Sequence, residues 1–259
     1  METLSSALSQ TYSNLEIIVF NNGSSDTTEK IIFGFYDPRV KYHKTNKLLT
    51  MSESWTEASR LGTGEFLLLL CSDDVLEKNA IEVLHKGFLS NSKIVQTIGC
   101  RKLRTLNGKM EVNLSFLRFK KEKLLINKDV VRSVAISGSN PFGETLVVLF
   151  NRSVLQSCLP WSANYFAHID VDMYIRISRL GETLLVPKIV GKWRFGSAKS
   201  STSKSKDLFV SEFKKLVIEN YHYSNLNLPR ALLAYSLIKS RSKKIIRSLI
   251  VRAVSILGL

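Results

Sequence analysis

EFLLLLCSDDVL, residues 65–76, carries five apolar residues in a row, Phe66 to Leu70, into Cys71, Ser72 and two adjacent carboxylates, Asp73 and Asp74. A short apolar run bounded by polar turn residues reads as a buried strand, which puts the carboxylates at a strand's carboxyl end. Downstream, Ile81, Leu84 and Phe88 recur at helical spacing. Upstream, MSESWTEASRLGTG (residues 51–64) spaces Trp55, Ala58 and Leu61 along one helix, with Ser52 as N-cap and Gly62 as stop. Further back, RVKYH (39–43) reads as a short strand and LEIIVF (15–20) as a buried one. From the latter, NNGSSDTTEKII (21–32) turns into a helix in which Asp26 and Glu29 have capping-box spacing. Strands alternating with helices in this way predict an α/β fold on a mostly parallel sheet covered on both faces.

In open parallel sheets ligands sit outside the carboxyl ends of the strands, where Asp73 and Asp74 are expected. Two neighbouring carboxylates repel each other unless they share a cation, and hard divalent ions such as Mg²⁺ or Mn²⁺ take oxygen ligands together with substrate phosphates. A diphosphate would complete such a shell. The plainer alternative makes one aspartate a helix cap and leaves the other solvated.

With 259 residues, 44% of them apolar and 23% charged, the chain can bury a sizeable core, as one large domain or a domain with an appendage. Composition argues against disorder. The 37 Lys and Arg against 22 Asp and Glu give a net charge of +15, which predicts an anionic partner: nucleic acid, nucleotide phosphate or an acidic membrane surface. Cys71, Cys100 and Cys158, odd in number and widely spaced, suggest neither a disulfide framework nor a zinc site and fit a reducing cytosol. No signal peptide opens the sequence, and no run reaches the roughly 18 apolar residues of a membrane span. The expected location is the cytoplasm, with peripheral contact at the inner face of the plasma membrane left open.

The stretches SALSQTYSNLEIIVFNNGSSDTT, GTGEFLLLLCSDDVL, NPFGETLVVLFNRSVL and HIDVDMYIRISRLGETLLVPKIVGKWRF follow one another with an order and spacing that resembles the family 2 glycosyltransferases, over about residues 2–202. The resemblance implies a GT-A, Rossmann-like α/β fold with a mostly parallel sheet flanked by helices. It also implies sugar transfer from a nucleotide-diphosphate donor to a glycan or lipid-linked acceptor, with inversion and a divalent metal, Mn²⁺ or Mg²⁺.

Carried over by residue, the resemblance sets Ser72 and Asp73 on the later part of the family's Asp-x-Asp motif, with Asp73 as metal ligand and Asp74 beside it. Cys71 replaces the motif's first aspartate, which weakens the expected ribose contact. Asn21 and Asn22 stand where a frequent Asp-Asp pair reads the nucleotide base. Asp170, in HIDVDMYIRISRLG, matches the aspartate that takes the acceptor's proton, with Ile169 in place of the family's glutamate; the plainer reading is a helix N-cap. Asp172 is expected to pair with Arg176 four residues on. Trp55 stands where many relatives have an arginine and reads as a core anchor. Arg194 falls in a segment that often forms a lid over the donor, where it would hold a phosphate. Phe195 and Gly196 stand where the family often has a histidine. Gly138 and Gly143 either line the acceptor site or serve turns.

The resemblance puts Met1 inside what should be the first helix, so the family's first strand is expected to be missing, through an internal start or a decayed copy. Expected boundaries are a glycosyltransferase domain over 1–205 and a basic helical extension over 206–259. In the extension Lys243, Lys244 and Arg247 share one helical side while Ile245, Leu249 and Ile256 share another, as in a helix resting on anionic lipid or packed on the domain. Two other readings stand beside transfer: an inactive relative, and a basic membrane-surface or nucleic-acid module. No RNA-recognition signature supports nucleic acid.

Overall fold

The computed structural model describes residues 1–105, 111–113, 119–195, 208–223 and 235–242. Helix α1 (Glu2–Leu8) precedes β1 (Ile17–Asn21), α2 (Thr28–Phe33), β2 (Val40–Lys44) and α3 (Met51–Leu61). Short strands β3 (Phe66–Leu67) and β4 (Val75–Leu76) flank the Cys71–Asp74 turn, and α4 (Ala80–Phe88) leads to β5 (Ile94–Thr105). After β6 (Glu111–Asn113) and β7 (Lys123–Leu125) come α5 (Asn127–Ser137), β8 (Val148–Asn151), α6 (Arg152–Cys158), α7 (Ile169–Ser178), β9 (Glu182–Phe195) and α8 (Phe209–Tyr223).

The sheet runs β3-β8-β5-β9-β4, with β6 on β5 and β7 on β9. Its centre is the parallel pair β5–β9, and the other pairings within it are antiparallel. The first half of β5 is buried without interruption, as a strand covered on both faces should be. Around it, Leu84 of α4, Val130 and Val134 of α5, Phe150 of β8, Leu155 of α6 and Tyr174 of α7 form one core. The α/β class read from the sequence is present, a central sheet flanked by helices, but the sheet is not mostly parallel as expected: β8 and the short strands β3, β4, β6 and β7 all pair antiparallel, and only β5 and β9 run parallel to each other.

A second, two-stranded parallel ladder, β1–β2, stands apart from this sheet. EFLLLL is a strand only at Phe66 and Leu67, paired antiparallel with Phe150 and Asn151 of β8. Leu68, Leu69 and Leu70 make no backbone hydrogen bond among the described residues, and β1 pairs on one edge only. Ile17, Ile18, Val19 and Phe20, and all residues from 66 to 70, are half-buried, on both faces of each segment. The buried strands expected at 15–20 and 65–70 thus lack a neighbour on one side, and the second is cut to two residues for want of a ladder. Their starts are tied by one side chain: Glu16 Oε1 accepts the Thr63 N–H and, at 2.9 Å, the Gly64 N–H.

Two helix starts differ from the sequence reading. Thr50, not Ser52, caps α3; its Oγ1 accepts the Glu53 N–H at 3.3 Å while Glu53 takes the Thr50 N–H at 2.9 Å. Ser52 instead donates to the Trp161 carbonyl at 2.5 Å. At α2 the capping box does not form, because Glu29 pairs with Lys44 of β2 at 2.8 Å and Asp26 accepts the Thr28 N–H. Trp55 is a core anchor, edge-on to Trp161 at 5.1 Å.

Helix α8 lies in the segment expected as an extension, yet Phe213, Leu216 and Val217 are buried in the main core. Among the described residues no helix is long and apolar enough to cross a membrane. Lys243, Lys244, Ile245, Arg247, Leu249 and Ile256 lie outside the described residues.

Candidate active site

After Leu70 the chain makes a tight turn, with the Asp74 N–H donating to the Cys71 carbonyl at 3.1 Å. Strand β4 then pairs with Gly191 and Lys192 of β9, which fixes the turn at the edge of the sheet. Gly191 is required there, since a Cβ would strike Leu146 and crowd the Val75 carbonyl. Arg194, three residues along β9, binds the turn from below: its backbone N–H donates to Asp74 Oδ1 at 3.3 Å and its Nε–H to the Asp73 carbonyl. Its guanidinium also donates to Glu2 at 2.8 Å and to Thr3 Oγ1 at 3.2 Å, while Thr3 donates to the Ser72 carbonyl at 2.7 Å. The arginine expected to hold a phosphate is here committed to joining α1 to the aspartate turn.

The turn splits its two carboxylates. Asp73 is exposed, whereas Asp74 is buried. Burial, reinforced by the charges of Asp73 and Glu144, pushes the Asp74 carboxyl up to about 8. Burial and the same pair of aspartates also raise the Cys71 thiol, which keeps it neutral. One ligand atom each from Cys71, Asp73 and Asp74 lies within 4.8 Å of the others. Two carboxylates at that separation could hold a hard divalent cation, Asp73 being the exposed one of the two.

Asp170 sits in the first turn of α7, two residues past the N-cap, His168, so it is not the cap itself. Its Oδ1 accepts the Val171 N–H and its Oδ2 accepts Asn140 Nδ2–H, both at 2.8 Å. Asn140 is itself fixed: Nδ2 also donates to the Gly143 carbonyl at 2.7 Å, and Oδ1 accepts the N–H groups of Phe142 and Gly143. Tyr174 Oη donates to the same Gly143 carbonyl at 3.1 Å. Burial, then the charge of Glu144, pushes the Asp170 carboxyl up to about 7, against the two hydrogen bonds and Arg101. Arg101 of β5 pairs with Glu144 at 2.9 Å and stacks on Trp193 at 5.4 Å.

Glu144 and Arg101 therefore act on both Asp74 and Asp170, and Asp170 adds its charge at Cys71. The aspartate turn and Asp170 share one electrostatic neighbourhood at the carboxyl ends of β5 and β9. Asn140, Glu144 and Arg101 were not singled out in the sequence, although Asn before Pro in SNPFGE is a turn signal. The Asp172–Arg176 pair forms at 2.8 Å, as its spacing predicted. Gly138 and Gly143 have positive φ, and Gly138 is the left-handed stop of α5.

Asn21 and Asn22 stand at the carboxyl end of β1 with their amides engaged. Asn21 donates to Tyr42 Oη at 2.8 Å and accepts the Ser24 N–H; Asn22 makes two bonds to the backbone of Leu49. They brace the loop after β1 and tie it to the loop between β2 and α3.

The sequence model for "Glycosyl transferase family 2" matches residues 1–142. An uncharacterised glycosyltransferase of Rickettsia typhi is 32% identical over 49% of this chain and 40% of its own length. A poly-beta-1,6-N-acetyl-D-glucosamine synthase of Staphylococcus epidermidis is 28% identical over 63% of this chain and 39% of its own. The chain thus spans about two fifths of each of these relatives. Among solved structures, S. aureus TarS 1-349 in complex with UDP-GlcNAc superimposes with a TM-score of 0.66 at 17% identity, over 93% of this chain and 68% of that one. The family match spans more than half of the chain, and the fold around the aspartate turn is that of a GT-A glycosyltransferase: the chain belongs to glycosyl transferase family 2.

Proposed function

We propose that the chain transfers a sugar from a nucleotide-diphosphate sugar to an acceptor hydroxyl with inversion, in the assembly of a polysaccharide or related glycoconjugate. The observation that carries this reading is Asp170: a carboxylate with its proton affinity raised to about 7, aimed by Asn140, in the same neighbourhood as the Asp73–Asp74 turn. A general base poised near the working pH combines an adequate deprotonated fraction with driving force for proton transfer. Asp170 takes the acceptor hydroxyl's proton as that oxygen bonds to the anomeric carbon, and the carbon–oxygen bond to the diphosphate breaks on the opposite face. The nucleoside diphosphate leaves with the bonding electrons.

Asp73 and Asp74 would hold Mn²⁺ or Mg²⁺, which would supply positive charge to offset that of the diphosphate. Arg194 keeps the turn in place through the Asp73 carbonyl, and Ser72 shares that anchorage through its own. Asn21 and Asn22 shape the base end of the site by holding the loop after β1. The named activity of the S. epidermidis relative supports a glycan product, and the UDP-GlcNAc bound to TarS makes a uridine nucleotide the first donor class to try.

The test is a thermal-shift series with UDP, GDP, CDP and dTDP, each with and without Mn²⁺. A shift for one nucleotide that needs the metal and vanishes in Asp73→Ala is the expected result. No shift with any nucleotide would sink the reading.

A further inference from the structure

We infer that α8 is a clamp on the turn that aims Asp170, with Glu212 as its positioning residue; the functional meaning rests on the assignment of Asp170 as base. Residues 165–168 lead directly into α7, two positions ahead of Asp170. The first N–H groups of a helix, and those just before it, have no partner within the helix and must find one elsewhere. Here α8 supplies it from some 45 residues down the chain: Glu212 Oε1 accepts the Phe166 N–H at 2.9 Å and Oε2 the Ala167 N–H at 2.7 Å. Oε2 also lies 3.7 Å from Nδ1 of His168, the buried N-cap.

The clamp has a second polar jaw and an apolar hinge. Seven residues along α8, on the same helix face, Glu219 accepts Tyr165 Oη–H at 2.5 Å, and Asn220 accepts from Arg179 at 2.6 Å beyond the other end of α7. Around Glu212 on the helix, the rings of Phe209 and Phe213 close on the His168 ring at 4.6 and 5.7 Å, with Phe213 fully buried. Burial alone would raise the Glu212 carboxyl; His168 beside it at 3.7 Å and the hydrogen bonds from the Phe166 and Ala167 N–H groups outweigh that and hold it below the ordinary carboxylate range. An ionised carboxylate is thus fixed on the segment whose position decides whether Asp170 meets Asn140. That bond is 2.8 Å long, and a displacement of about 1 Å would break it and misplace the base.

The test reads proton binding at Asp170 instead of turnover, so it is decided even if no donor is found. In protein labelled at the aspartate carboxyl carbons, the Asp170 resonance is the one missing from Asp170→Asn, and its midpoint in the parent is expected near 7. Glu144, Arg101, Cys71 and Tyr174 face Asp170 and stay unchanged throughout. In Glu212→Gln the turn loosens and Asp170 gains water; relief of burial, the largest cause of its raised midpoint, outweighs the lost Asn140 bond, so the midpoint falls by about one pH unit toward the ordinary carboxylate value. Lys214→Ala, on the exposed side of α8, leaves the midpoint in place. If Glu212→Gln does not fold, Glu212→Asp, one methylene short, carries the same expectation. A folded Glu212 variant whose Asp170 midpoint matches the parent overturns the clamp. With a donor in hand, the positioning role further requires kcat to fall about tenfold at unchanged donor KM. Full activity in Asp170→Asn would instead remove Asp170 as base while leaving the clamp's geometry to be judged by titration.

Discussion

Asn140 Nδ2 lies 2.8 Å from Asp170 Oδ2, which joins the turn after α5 to the first turn of α7 across 30 residues of sequence. The same nitrogen reaches the Gly143 carbonyl, so the amide cannot rotate away without breaking both bonds. Replacing Asn140 with Ala should therefore lower kcat about tenfold or more while leaving nucleotide affinity intact. Because the lost hydrogen bond favours the charged carboxylate, the acidic limb of the rate profile should also move to higher pH. A rate–pH series on both proteins checks each part.

Asp170→Asn should abolish transfer, a loss of about 10²-fold or greater for a missing general base, and leave the nucleotide thermal shift unchanged. Substantial residual turnover would remove Asp170 from the mechanism.

The same variant has a stability signature. The folded state holds the Asp170 proton more tightly, up to about 7 against an ordinary 3.8, so between those values the folded state binds more protons than the unfolded one. Stability contributed by this group is then greatest below about 4 and is lost as pH rises to about 7. Asp170→Asn removes that loss, so its melting temperature should exceed the parent's at pH 8 and converge with it near pH 4.

Asp73→Ala should keep the fold and lose Mn²⁺ binding, followed directly by titration calorimetry with the metal alone. Asp73 is exposed and its side chain makes no hydrogen bond among the described contacts, so a fall in melting temperature of more than a few degrees would mark it as structural instead.

The open edges of β1 and of residues 68–70 predict a local pattern of hydrogen exchange. Amides of Leu68, Leu69 and Leu70 should exchange orders of magnitude faster than those of Ile98 or Leu149 in the central sheet, although all five are apolar strand-like residues. Equal protection would mean that a partner closes the gap.

The α/β alternation was legible because it depends on local periodicity: α4 appears where Ile81, Leu84 and Phe88 placed it, and α3 along Trp55, Ala58 and Leu61. Asp73, Asp74 and Asp170 were legible as site candidates through their resemblance to the family's motifs. What was not legible depends on long-range partners. EFLLLL has the composition of a strand, but a strand needs a ladder, and only Phe66 and Leu67 find one. Arg194 was free to be a phosphate ligand until Glu2, Thr3 and the Asp73 carbonyl were seen around it. Arg101 and Glu144 tune both ends of the site, but Arg101 sits in a segment with no motif of its own, and within NPFGETLVVLFNRSVL nothing local marks Glu144 for that role.

The burial of Phe213 and Leu216 among helices formed far earlier in the chain has a consequence for synthesis. As the polypeptide leaves the ribosome, the sheet and α7 emerge first, with the hollow for α8 still open and the turn before Asp170 unheld. Domains tend to fold as units during translation, and a unit that waits for a late helix keeps apolar surface exposed meanwhile. The nascent chain should therefore remain a chaperone client until α8 has cleared the exit tunnel, and the residue aimed by that helix should be among the last to reach its final place.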